Sequence, residues 1–264
     1  MNSFQAISDC PNRETGRIIV EIVRDYGLGL DDNPPIAGFK ICDNGIGFDD
    51  TNFDSFNTAF SEYRLSQGGK GLGRFTWLKA FTRVEVESVF EESDADGPLA
   101  RKFVFDENYD PDSGRPLRAQ PAATTGTCVS LVEFKEPYRT ATPRGREQIG
   151  QRLIEHFLLI FLLPDCPKVE IHDSSTKLDL NRIFDADFRA SASVRVFAIQ
   201  GSEFTLHGFR LKSYRNSKHR LIYAANRRGV VSDNLADYIP NLNAGLFDDQ
   251  GNPFVYIAVV QSPI

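Results

Sequence analysis

Apolar positions along this chain recur with two periods, and each change of period marks an element. Arg17 to Arg24 (RIIVEIVR) and Ile36 to Cys42 are short and rich in β-branched residues, and the turn cluster Asp31-Asp32-Asn33-Pro34-Pro35 lies between them. They therefore read as a hairpin. Thr82 to Phe90 (TRVEVESVF) alternates as a strand, with Leu99 to Phe105 as its expected partner, and Gly126 to Phe134 forms another strand after a Pro-, Gly- and Asp-rich loop. Helical spacing appears in four places. Phe4 and Ile7 start the first, and Asp50 to about Tyr63 forms the second. Leu72, Phe75, Leu78 and Phe81 repeat every three residues, which makes one buried face. Glu147 to Leu163 places Ile149, Leu153, Ile154, Phe157, Leu158, Phe161 and Leu162 at three- and four-residue steps, and Pro164 stops it. Val169 to Ile171 and Lys177 to Leu180 read as short strands.

From about Phe184 the texture changes to strands and turns: Ser193 to Ile199, Phe204 to Ser213, Leu221 to Ala225 and Phe254 to Val260. The one helical candidate between them is Asp233 to Tyr238. This predicts an α+β chain with a first domain over residues 1–182 and a second over 183–264, the boundary lying near 181–186. The first helix has no room for a cap before Asn2, and the last strand is followed only by Gln261 to Ile264. Both ends read as those of a fragment.

Composition narrows the classes. The longest apolar run, Phe157 to Leu163, is far shorter than the roughly 18 residues a membrane-spanning helix needs. No secretion signal opens the chain, so the expected address is cytoplasmic, with no membrane partner. With 30 basic and 36 acidic residues the net charge is −6, which argues against bulk nucleic-acid affinity. Cys10, Cys42, Cys128 and Cys166 are too dispersed for a zinc pair or a dense disulfide framework and read as reduced structural thiols; the four histidines form no metal-ligand pair.

Two glycine motifs carry candidate chemistry. Gly68, Gly71 and Gly73 open a helix and fit neither the P-loop nor the dinucleotide pattern, because Arg64, Gly71 and Arg74 stand where those need other residues. The segment still suits an anion, with close backbone approach, free N–H groups at a helix start and the charges of Lys70 and Arg74. A flexible turn before a core helix is the alternative. Asp43, Gly45 and Gly47 at a strand end put a carboxylate on the floor of a pocket. A carboxylate only accepts hydrogen bonds, so it can receive the amino group of adenine but opposes the carbonyl of guanine. The alternative there is an Asn44-Gly45 turn between strands.

Taken in order, Asn2-Ser3-x-x-Ala6, Asp43-Asn44-Gly45-Ile46-Gly47-Phe48, Gly69-Lys70-Gly71-Leu72-Gly73-Arg74-Phe75 and Gly126-Thr127-Cys128-Val129 resemble the four motifs of the GHKL ATPases. That group holds gyrase B, the heat-shock-90 chaperones, histidine kinases and MutL. The resemblance covers about residues 1–180 and implies the Bergerat fold, a two-layer α/β sandwich that binds ATP with Mg²⁺. It implies that Asp43 binds the adenine amino group beside Thr127, and that Gly45 and Gly47 shape the base pocket. Asn2 would hold Mg²⁺. Lys70, Gly71, Leu72, Gly73 and Arg74 would wrap the phosphates under a lid spanning roughly Asp50 to Gly69. The family's general-base Glu would fall ahead of Met1, so the resemblance implies no catalytic residue within the chain.

Leu221 to Val231, with its Asn226-Arg227-Arg228 stretch, resembles the transducer or middle domain of MutL and heat-shock-90, which favours those branches or a MORC-like machine over a kinase. The resemblance implies an ATP-driven switch, usually gated by homodimerisation. A histidine-kinase module and a non-hydrolysing nucleotide sensor are the competing readings. Residues 204–232 carry no acid but seven bases, from Arg210 to Arg228, which reads as a solvated face, a phosphate sensor, or a strip for nucleic acid or a protein client.

Overall fold

The computed structural model describes residues 2–27, 34–58, 73–212, 218–225, 228–243 and 246–261. In chain order the first elements are α1 (Asn2–Ser8), β1 (Arg17–Arg24), β2 (Ile36–Asp43), α2 (Asp50–Asn57), α3 (Gly73–Ala80), β3 (Phe81–Phe90) and β4 (Leu99–Phe105). Then come β5 (Leu117–Arg118), β6 (Gly126–Phe134), α4 (Tyr138–Ala141), α5 (Arg146–His156), α6 (Leu158–Phe161), β7 (Lys168–Asp173), β8 (Thr176–Asp179) and α7 (Leu180–Asp187). The remainder is β9 (Ser193–Ile199), β10 (Ser202–Lys212), β11 (Arg220–Ala225), β12 (Arg228–Asn234), β13 (Leu246–Phe247) and β14 (Pro253–Gln261). The chain divides into two units, Met1–Gly150 with Pro167–Leu180, and Gln151–Cys166 with Asn181–Ile264.

The first unit is an eight-stranded mixed sheet in the order β5-β4-β3-β6-β2-β1-β7-β8. The hairpin β1–β2 is antiparallel, and β7 returns parallel to β1. Strand register builds the core in rows. Phe39, Leu131, Val84 and Phe105 are partners across β2, β6, β3 and β4, and Ile41, Val129, Val86 and Phe103 form the next row. Because side chains alternate faces along a strand, both rows lie on one face. Phe53 of α2 and Trp77 and Leu78 of α3 pack against that face, with Phe48, Phe56 and Tyr109 filling the edges. Truncating one of the fully buried members, such as Val86 or Phe103, is expected to cost about 1–5 kcal/mol.

The second unit is a six-stranded sheet whose main order is β12-β11-β14-β10-β9, with β13 pairing β14. The apolar strand β14 lies inside it, parallel to β11 and antiparallel to β10. Edge strand β9 is exposed along its whole length.

Three expectations change. The helix expected to run to Leu163 breaks at Phe157, whose backbone leaves the helical region (φ −112°, ψ 23°). Its N–H is shared between Leu153 O and Ile154 O, and the turn tightens so that four consecutive residues, Leu158 to Phe161, are buried. One straight helix face cannot bury four in a row. A helix that was not expected, α7, occupies residues 180–187, where Leu180, Phe184 and, just past its end, Phe188 repeat every four residues as a buried stripe, and the second unit resumes at Asn181, within the range read as the boundary. Finally, Cys42 and Cys128 form a disulfide and are not free thiols. They are register partners on β2 and β6, with Cα atoms 4.1 Å apart, and their separation of 86 residues concealed the pairing from the sequence. Cys10 and Cys166 are not disulfide-bonded.

Candidate functional site

A third row continues the two apolar ones, and it is polar throughout. Asp43, Thr127, Ser88 and Arg101 are register partners across β2, β6, β3 and β4, on the face that carries Ile41, Val129, Val86 and Phe103 one step behind. A run of core-facing positions thus ends in four hydrogen-bonding side chains, of which Thr127, Ser88 and Arg101 are buried.

At one end of the row, Asp43 accepts the Gly45 N–H at 3.0 Å, the Thr127 N–H and the Ser3 hydroxyl. Burial pushes its carboxyl above the ordinary range, against the lowering effect of those three bonds. Ser3 reaches Asp43 because the loop after β2 grips α1. The Ile46 N–H bonds to Ala6 O at 3.1 Å, and a Cβ on Gly45 would lie 2.6 Å from the Ala6 Cβ. Asn44 is locked by its own side chain, which accepts the Arg17 N–H at 2.6 Å and donates to Thr15 O at 2.8 Å. Gly47 sits at φ +85°, and a Cβ there would come within 2.2 Å of Val89 O.

In the middle of the row, the Ser88 hydroxyl accepts the Phe48 N–H at 2.7 Å, donates to Gly126 O at 3.0 Å and lies 2.9 Å from the Thr127 hydroxyl. At the other end Arg101, only 1% exposed, donates to Asp49 O at 3.0 Å and to the Asp50 carboxylate. Its guanidinium stacks over Phe53 and Phe90, 4.1 Å and 4.9 Å from their centroids, while its Nε has no hydrogen-bond partner among the described residues. Arg101 therefore clamps the first turn of α2, which Asp49 also caps through the Asn52 N–H.

No protein-family model matches the sequence, and no curated protein matches it. Among solved structures, the N-terminal domain of a DNA repair protein matches with a TM-score of 0.51 at 13% identity, over 98% of this chain and 81% of that one. The chain is also similar to the ATPase region of Saccharomyces cerevisiae topoisomerase II, with a TM-score of 0.49 at 9% identity over 100% of this chain and 71% of that one. The Aquifex aeolicus MutL ATPase domain complexed with ADP matches with a TM-score of 0.44 at 14% identity, over 98% and 89% of the two chains. The match to the DNA repair protein's N-terminal domain shows a shared fold and nothing beyond it.

Of the motif residues, Asp43, Gly45, Gly47 and Thr127 come together where β2 ends and β6 begins. Asn2 is exposed in α1, next to Ser3, which touches Asp43. Lys70, Gly71 and Leu72 lie outside the described residues, as does the candidate lid beyond Thr58. Gly73 opens α3, and Arg74 is buried, its guanidinium 5.2 Å from the Phe56 centroid and 3.5 Å from Ser55 O. Sequence reasoning missed Ser3, Ser88 and Arg101. A signal for two of them was present: Val84-x-Val86-x-Ser88-x-Phe90 and Phe105-x-Phe103-x-Arg101 each put one polar residue into an apolar period-two stripe.

The basic strip is less uniform in space than in sequence. Arg220 pairs with Glu155, and Arg210 lies over the Phe254 ring, with its charge felt by Asp248. Lys218 is exposed, whereas Arg215, Arg227 and the side chains of Lys212 and Arg228 fall outside the described residues. No described helix is long and apolar enough to cross a membrane.

Proposed function

We propose that this chain is the ATP-binding module of a nucleotide-driven conformational switch, with the base held against Asp43 and Thr127. The observation that carries this reading is the half-buried carboxylate of Asp43, register partner of the buried Thr127, at one end of a polar row. Asp43 has taken three donors from its surroundings, and burial works against its charge, so a further donor such as the adenine amino group would stabilise the ionised form. Gly45 and Gly47 keep Cβ atoms out of the loop that follows, where α1 and β3 already approach closely.

The residues present suit a magnesium ion that arrives with the phosphates. Among the described residues no cluster of three His, Cys, Asp or Glu forms a separate cage. Mg²⁺ is commonly bound through substrate phosphates and water with few protein ligands, and Asn2, exposed next to Ser3, would supply one. Bound there, the ion neutralises phosphate charge. This chain's own part is to seat the base and orient the phosphates through the α3 start. Gln151–Cys166 and Asn181–Ile264 would then act as the transducing unit, and a homodimer is the assembly in which such a switch would close.

Calorimetry with a non-hydrolysable ATP analogue and its guanine counterpart tests the reading. The adenine form is expected to bind at least about tenfold more tightly, a difference of about 1.4 kcal/mol, and Asp43→Asn to abolish the preference. Equal affinities in the unmodified protein would overturn it.

A further inference from the structure

We infer that Ser88 is a positioning residue that sets the direction of the Thr127 hydroxyl, and so makes the base site accept hydrogen bonds only. The inference rests on the reading of Asp43 and Thr127 as the base-binding pair. A serine hydroxyl has one proton to give and two lone pairs. The Phe48 N–H can only donate, so it occupies one lone pair, and Gly126 O can only accept, so it takes the proton. What remains for the third contact, 2.9 Å to Thr127 Oγ1, is the second lone pair. Thr127 must therefore be the donor in that bond, and its single proton points at Ser88.

The consequence lies on the other side of Thr127. With its proton committed, its oxygen offers only lone pairs, as the Asp43 carboxylate does. A base that meets this pair must bring the protons. The adenine amino group has two. A water held between Thr127 and the base would donate one proton to Thr127 and point its other at ring nitrogen N1, which in adenine accepts and in guanine carries a hydrogen. Both direct and water-bridged contacts thus select adenine. Ser88 is only 5% exposed and is the register partner of Thr127 on the neighbouring strand, so it acts through Thr127 without touching the base. Its two backbone partners are Phe48 in the loop after Gly47 and Gly126 at the start of β6, which couples the site's hydrogen-bond polarity to the two motifs that form it.

The test is the ratio of affinities for non-hydrolysable adenine and guanine triphosphates, read by calorimetry on the full chain. Ser88→Ala frees the Thr127 proton to rotate toward the base, and the adenine-to-guanine ratio is expected to fall by about tenfold. Ser88→Thr keeps both the proton and the lone pairs and is expected to retain the ratio. In a Thr127→Val background, Ser88→Ala is expected to leave the ratio unchanged. A purely structural role would weaken both nucleotides in parallel and leave the ratio where it was, which overturns the inference. If the unmodified protein shows no adenine preference, the base-site reading itself fails and the inference with it. Should Ser88→Ala not fold, the Thr127 hydroxyl proton is read by NMR in the unmodified protein. A nuclear Overhauser contact to the Ser88 β-protons supports the assignment, and a proton directed at Asp43 overturns it.

Discussion

Cys42 and Cys128 are bonded across β2 and β6 directly behind Asp43 and Thr127, one residue from each and on the opposite face of the sheet. The bond closes a loop of 86 residues and ties together the two strands that carry the candidate base site. Cross-linking a loop of that length is worth up to about 4.5 kcal/mol, chiefly by restricting the unfolded chain. Reduction with a dithiol, or the double change of Cys42 and Cys128 to Ser, should lower the urea midpoint accordingly. Superimposable unfolding curves with and without dithiol would show that the bond contributes nothing.

Asp43 ties the site to pH. Its carboxyl titrates above the ordinary range because burial penalises the charge. A raised value means that the group's contribution to stability is fully present below the unfolded value of about 3.9 and is lost as pH rises through the folded value. Base binding has the opposite preference, since it needs the ionised acceptor. Affinity for an adenine triphosphate analogue should therefore decline on acidification before ordinary carboxylates protonate, and Asp43→Asn should flatten that decline. Calorimetric titrations between neutral pH and about pH 4 compare the two.

Gly47→Ala adds a methyl group where φ is +85° and Val89 O lies 2.2 Å from the new atom. Left-handed strain and the forced shift of β3 together should cost about 2–4 kcal/mol. A thermal unfolding scan measures it, and a variant as stable as the parent would show that the loop relaxes freely.

Glu170 holds β1 to β7. Hydrogen bonds from Lys168 first, then from Arg17, with His172 adding a third partner, hold its carboxyl down at about 2. Lys168 approaches at 2.8 Å and Arg17 at 2.5 Å. Both cations are about half exposed, so solvent screens much of the attraction, and Glu170→Gln should cost about 1–2 kcal/mol at neutral pH. A depressed value places that stability above the unfolded value of about 4.3, to be lost as pH falls toward 2. Parent and variant should converge over that interval in urea unfolding.

Trp77, the single tryptophan, lies in α3 with its ring 6.2 Å from Phe56 of α2. The first turn of α2 is held by Arg101, at the far end of the row that contains Asp43. If base binding re-sets α2, Trp77 emission should shift on adding the adenine analogue and stay constant in Asp43→Asn. An unchanged spectrum in the parent at saturating analogue would separate the base site from α2.

Much of the fold was legible along the chain. The hairpin β1–β2, the alternation of β3 and β4 and the Gly126 strand all match the period-two reading, because each strand buries one face against helices. The miss at Phe157 has a physical cause, since a continuous apolar run satisfies helical spacing whether or not the chain bends within it. Helix α7 was missed although its four-residue stripe is regular, because Asn181, Arg182, Asp185 and Asp187 between the buried positions gave the segment the texture of a connection.

By itself the sequence determined the local elements and the identity of the motif residues Asp43, Gly45, Gly47 and Thr127. Those follow from short-range chemistry: a carboxylate at a strand end, and glycines where no Cβ fits. Only the tertiary structure decided that Ser88 and Arg101 continue the row begun by Asp43 and Thr127, that Ser3 reaches the carboxylate, and that Cys42 meets Cys128. Each of these depends on strand register or on helix docking, which no local pattern carries. Register between strands tens of residues apart is set by the packing of the whole sheet, and the hydrogen-bond polarity of the site is settled there.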